Sequence, residues 1–197
     1  MIKSISLLIT AFALSCNLYA QHNVKSLSLQ PKIGVGLSKL TNHYNSDFRT
    51  GLVVGFETEY QIKPKLGLSA GLLYSQQGAK YSLGDENHHY EYNYFNIPVL
   101  ANFYVAKNLA LKVGLQLGLK SSSKDYFESR GWETSRVNDN IRDVDVALPL
   151  GISYELGKFV ADARYNFGLT EVRVRSQFSV FQFTLGYRFD LIKGKTL

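Results

Sequence analysis

Asp85, Glu86, His88 and His89 lie within one short stretch and are residue types that can hold a divalent cation. Adjacent side chains in a loop rarely converge on one ion, and no second ligand pair lies at suitable spacing, so the stretch reads as a surface connection. No metal or other cofactor is expected. The serines and histidines could supply a nucleophile and its base, but no Gly-x-Ser-x-Gly elbow or comparable signature accompanies them. Asp125 and Glu128 read as solvated carboxylates, and no enzymatic activity is expected. A different group holds more information: Lys32, Glu57, Glu59, Lys112, Glu155, Asp162, Arg164 and Arg188, four basic and four acidic. These residues are scattered along the chain. Only the elements that carry them can bring them together.

Those elements show a period of two. Eight segments read as strands, at 31–40, 50–62, 65–77, 92–106, 108–121, 143–156, 158–170 and 177–190. In the fifth, Leu109, Leu111, Val113, Leu115, Leu117 and Leu119 face one way, and Ala110, Lys112, Gly114, Gln116, Gly118 and Lys120 the other. A helix, with its period of 3.6, would scatter both sets around its circumference. The connections alternate too. Short turns fall at 63–65, 107–108 and 157–158, and longer connections at 41–49, 78–91, 122–142 and 171–176.

A soluble barrel would alternate in the same way, so the facing must be argued. Gly34, Gly36, Gly51, Gly55, Gly67, Gly71, Gly114, Gly118, Gly151, Gly168 and Gly186 all share the polar register. Glycine weakens strands and has no use on a water-exposed face, whereas a narrow lumen needs the room it leaves. The opposite face is almost wholly apolar, as lipid contact requires. A twelve-residue strand tilted by ~40° rises roughly 30 Å, enough for an apolar band of ~25 Å. The expected fold is therefore an all-β, eight-stranded antiparallel up-and-down transmembrane barrel. Its short turns would be periplasmic and its long loops extracellular.

Residues 1–20 read as a signal peptide. Lys3 opens it, an apolar run covers 5–14, and Leu18-Tyr19-Ala20 precedes Gln21 as a cleavage site. Leu14-Ser15-Cys16 offers a competing reading as part of a lipoprotein box, with Ala13 where a Leu is expected. A periplasmic N-terminal segment at 21–30, the barrel at 31–190 and a periplasmic tail at 191–197 complete the organisation. Cleavage after Ala20 would remove the single cysteine, so no disulfide is expected. The formal charge is +6, but the basic residues form no run, which argues against nucleic acid as a partner. The surplus favours contact with anionic lipid head groups or polysaccharide.

Several motifs carry a resemblance. Tyr74-Ser75-Gln76-Gln77-Gly78-Ala79-Lys80, Phe95-Asn96-Ile97-Pro98-Val99-Leu100, Gly114-Leu115-Gln116-Leu117-Gly118, the run from Asp162 to Leu169, and Leu185-Gly186-Tyr187-Arg188-Phe189 occur in that order. Over 31–190 the chain resembles the porin-family outer-membrane β-barrel domain common in Bacteroidetes. The resemblance implies an integral outer-membrane barrel inserted by the barrel assembly machinery, with Gly186, Tyr187 and Phe189 in the assembly signal. Some relatives assist secretion or gliding motility. Barrels of this kind often end on an aromatic residue, whereas here 191–197 follow Phe189.

Two function classes follow. Counted from the short turns, the eight charged residues share the inward register in the lower half of the barrel. An unpaired charge in a narrow lumen is costly, so a mutually neutralising network is expected. Eight strands leave a lumen that side chains can fill, which favours a structural or interaction barrel over a small pore or transporter. Tyr81, Tyr90, Tyr92 and Tyr94 read as an aromatic girdle at the membrane interface, ahead of a glycan-binding platform. The connection at 122–142 holds Tyr126, Arg130 and the single Trp132, and is the best place to recognise a protein or glycan partner. Outer-membrane lipid is the other expected partner.

The mature protein is expected to begin near Gln21 and to fractionate with outer membranes as a band whose gel mobility changes on heating. Terminal sequencing and fractionation test this. Recovery as a soluble periplasmic protein would contradict the barrel, whereas a lipid on Cys16 would contradict only the cleavage site.

Overall fold

A sheet that buries charge on one face and exposes leucine on the other can be satisfied only if it closes on itself. In a computed structural model, which describes residues 23–41, 46–83, 86–129, 132–137, 143–170 and 177–194, it does so. In chain order the strands are β1 (Leu27–Leu40), β2 (Ser46–Asp47), β3 (Arg49–Lys63), β4 (Leu66–Leu83), β5 (Glu86–Ala106) and β6 (Leu109–Ser129). There follow β7 (Trp132–Val137), β8 (Val144–Leu156), β9 (Phe159–Gly168), β10 (Phe178–Tyr187) and β11 (Phe189–Ile192). Eight of these are staves: β1, β3, β4, β5, β6, β8, β9 and β10 pair antiparallel in that order. The ring closes where β10 returns to β1, with Lys32 opposite Gly186 and Leu40 opposite Phe178. No stave is left with an open edge facing the apolar band.

The burial pattern is the inverse of a soluble protein's. Ile33 and Leu115 are each 58% exposed, whereas Glu57 is 1% and Arg164 3% exposed. Leucine on the outside and carboxylate on the inside place hydrocarbon around the barrel. The three short turns lie at 64–65, 107–108 and 157–158. The last needs a glycine, because Gly157 has φ of 64°, a left-handed conformation that costs a side-chain-bearing residue more. All three turns lie at one end of the barrel, the turn end.

At the opposite end the strands run on where loops were expected. Strands β4 and β5 pair out to Leu83 opposite Glu86. Strand β6 continues to Ser129 and pairs with β7 from Lys124 opposite Val137 to Ser129 opposite Trp132. The expected connections at 78–91 and 122–142 are therefore in large part hairpin arms. Apolar alternation fades there, but the backbone ladder needs no apolar face once it leaves lipid, and β-favouring Tyr81, Tyr90, Tyr126 and Phe127 carry it onward. The turn end differs too. Strand β1 begins at Leu27 rather than 31, and β11 takes up Leu191 and Ile192, which were expected in the tail. Leu27 lies opposite Ile192 and Leu29 opposite Phe189, so the last strand resumes its pairing after a break at Arg188. The proposed signal peptide lies outside the described residues.

Tyr187 meets Phe159 edge-on at 5.3 Å and tilts against Phe189 at 4.8 Å. Phe189 is 48% exposed to the lipid side. Replacing Tyr187 and Phe189 together with alanine is expected to impair insertion, while truncation after Gly194 leaves it intact. Heat-modifiable mobility of membrane fractions reads both. If the truncation blocked assembly and the double variant inserted normally, the position of the closing strand would be wrong.

Candidate functional site

The lumen is where this sequence concentrates its ionisable side chains. Lys32 on β1, Glu57 on β3, Lys112 on β6 and Asp162 and Arg164 on β9 all point inward. Lys32 Nζ lies 2.6 Å from Glu57 Oε2 and 3.3 Å from Asp162 Oδ2. Lys112 Nζ lies 2.7 Å from Asp162 Oδ2 and 3.8 Å from Glu57 Oε2. Arg164 completes the cage, with Nη1 2.8 Å from Glu57 Oε1 and Nη2 2.9 Å from Asp162 Oδ2. Each carboxylate touches all three cations. Their side chains are at most 3% exposed, so these are pairs in a dry interior, where loss of one partner strands the others.

Glycines on facing strands make the room. A Cβ on Gly186 would come within 2.9 Å of Lys32 Cγ, and one on Gly71 within 2.5 Å of Glu57 Cγ. A Cβ on Gly67 would collide with Glu59 Oε1. Gly186, expected in an assembly signal, thus also has a role in packing, since it accommodates a caged lysine.

The remaining three charged residues join through Tyr104 on β5. Its hydroxyl donates to Glu59 Oε1 at 2.6 Å and lies 3.2 Å from Glu155 Oε1. Glu59 also accepts from Gln30 Nε2 at 3.2 Å. Arg188 donates from Nη1 to Glu155 at 2.8 Å and from Nε to Asp190 at 3.2 Å. The eight charged residues therefore fall into two contact groups, the cage of five and a second group of Glu59, Glu155 and Arg188 that reaches the turn-end mouth. Tyr104, Gln30 and Asp190 were not foreseen as members. Tyr104 shares the even register of Asn96 and Asn102, which was the available signal for it.

Above the cage the lumen is filled differently. Tyr92 and Tyr94 are each 1% exposed and meet Phe178 edge-on at 5.9 and 6.0 Å. This corrects their assignment to an interface girdle. Residue type suggested the interface, but parity along β5 aims them inward with Asn96 and Asn102. The side chains of Tyr81 and Tyr90 lie outside what the structure describes. The outward aromatics instead include Phe56, Tyr60, Phe95, Phe103, Tyr154, Phe159, Phe167, Phe181, Phe183 and Phe189.

Of the residues singled out for recognition, Tyr126 lies on β6 opposite Ser135, and Trp132 opens β7 opposite Ser129. Arg130 falls outside the described residues, as do Asp85 and the tip of the β4–β5 hairpin. Among the described residues no group of three or more His, Cys, Asp and Glu is placed to hold a metal ion.

Residues 19–173 match the family model described as the outer membrane protein beta-barrel domain. The chain belongs to that family. It is an integral protein of the bacterial outer membrane. No curated protein matches the sequence. Among solved structures, the family barrel is similar to Ail, the attachment invasion locus protein of Yersinia pestis, in complex with the heparin analogue sucrose octasulfate. That similarity is 18% identity and a TM-score of 0.54, covering 84% of this chain and all of Ail. Ail without that ligand gives 18% identity and 0.50 over the same shares. Neisserial surface protein A is 12% identical with a TM-score of 0.46, covering 84% of this chain and 97% of that one. The likeness to Ail establishes the fold.

Replacing Arg164 with methionine leaves Glu57 and Asp162 short of a cation. The variant is expected to lose roughly 3–5 kcal/mol in denaturant titrations of the lipid-inserted protein. Combining it with Glu57→Gln is expected to cost less than the sum of the single changes. Strict additivity would mean that the caged residues act independently.

Proposed function

We propose that the protein is a sealed, non-enzymatic outer-membrane anchor that presents its protruding hairpins to a protein or glycan partner. The filled lumen carries this reading. The aromatic layer of Tyr92, Tyr94 and Phe178 lies above the charge cage, and Gln77, Asn96, Gln116 and Gln182 are buried between the walls. A solute would have to displace both layers, and the cage yields only by breaking pairs in a dry interior. The surface available for work is then the arms of β4–β5 and β6–β7, paired strands whose sequence includes Tyr126 and Trp132.

The ordered motifs from Tyr74 to Phe189 support placing the chain with the Bacteroidetes-type barrels, inserted by the assembly machinery and suited to an accessory role in a secretion or motility complex. Ail was solved with a heparin analogue. A sulfated glycan is accordingly a reasonable first probe of the hairpins.

In planar bilayers the purified mature protein is expected to show no sustained openings. Large, stable single-channel currents from the unmodified protein would overturn the sealed anchor and favour a small pore.

A further inference from the structure

The ionic surplus of this chain is not spread evenly. All three tight periplasmic turns carry lysine: Lys65 between β3 and β4, with Lys63 closing β3, Lys107 between β5 and β6, and Lys158 between β8 and β9. Lys25 lies at the same end just before β1, and Lys193 just after β11. All six are exposed. None is ion-paired among the described residues. The turns contain no carboxylate. The one exposed acid at this end, Asp190, is held by Arg188, and Glu155 is turned into the mouth. Elsewhere charge is balanced. Lys32, Lys112 and Arg164 face Glu57, Glu59 and Asp162 in the lumen, and the segments 39–49, 80–91, 120–145 and 171–175 hold ten basic and eleven acidic residues.

The position of these lysines matters as much as their number. Each lies next to, or within a few residues of, an apolar side chain of the lipid-facing band or its edge. Ile62 precedes Lys63, Phe103 precedes Lys107, Leu156 and Phe159 bracket Lys158, and Ile192 precedes Lys193. Val24 precedes Lys25 at the band's edge. A lysine at the end of such a band extends its stem along the apolar surface and its ammonium into the head-group layer. A ring of such residues attracts anionic lipid.

We propose that this periplasmic rim is a binding surface for the phosphate head groups of anionic phospholipids in the inner leaflet of the outer membrane. The six lysines select those lipids around the barrel and fix its depth. The proposal rests on the preceding reading only for its orientation, with the turn end in the periplasm.

The test uses the mature protein in vesicles of phosphatidylethanolamine and phosphatidylglycerol, with spin-labelled forms of each lipid reporting the shell around the barrel. The labelled phosphatidylglycerol is expected to be enriched roughly five-fold over phosphatidylethanolamine at low salt. The enrichment should fall towards equality in high salt and in a K63Q/K65Q/K107Q/K158Q variant. Changing Lys80 and Lys124 to glutamine at the other end should leave it intact. Heat-modifiable mobility shows that each variant is folded. Equal retention of both lipids by the unmodified protein overturns the proposal, as does a preference that survives loss of the four rim lysines. Binding of soluble polyphosphate through those lysines, without a lipid preference, would assign the rim to a periplasmic polyanion and overturn the lipid assignment. A conducting barrel that kept the preference would overturn the sealed anchor alone.

Discussion

Hydrocarbon offers no hydrogen-bond partner to a peptide group, and closing the β1–β10 seam removes the last open edge from the band. The rest follows from closure at eight staves. A ring this small has a lumen that side chains fill, so whatever points inward must pack or pair. Outward positions are free to be leucine and phenylalanine because the solvent there is apolar. Inward positions become glycine wherever a neighbour needs the space. Gly186 and Gly71 are placed to let Lys32 and Glu57 reach the axis.

The charged cage is best understood as a consequence of that geometry. Two carboxylates cannot be buried singly without large cost, but each here is surrounded by three cations. A second group lies beside the cage, in which Tyr104 bridges Glu59 and Glu155 and Arg188 pairs with Glu155 at the turn-end mouth. Six staves contribute a side chain to these two groups. The aromatic layer above the cage uses dispersion and edge-on ring contacts in place of charge. The two layers fill the lumen by different physics.

Much of the barrel was legible in the sequence because its dominant signal has a period of two. The run from Leu109 to Lys120 separates into two faces on inspection, and the three tight turns stand out between such runs. Parity alone assigns Lys32, Glu57, Lys112 and Arg164 to one wall. It does not show that Tyr104 bridges two carboxylates, which depends on how far the ring reaches across the lumen. Tyr92 and Tyr94 were misplaced because residue type was weighted above parity. The hairpin arms were invisible for a different reason: beyond lipid, pairing no longer requires apolar alternation, so the pattern that marks a membrane strand disappears while the strand continues.

Lys32 and Asp162 meet across 130 residues of chain, and Lys112 reaches the same carboxylate across 50. Such contacts cannot form in a nascent hairpin or in a half-built sheet, since their partners arrive on strands made far apart in time. An unclosed sheet would present bare lysine and carboxylate to the bilayer interior, which penalises partial insertion steeply. The finished ring is therefore favoured over any partly inserted sheet, because the cage is satisfied only once its distant strands have met.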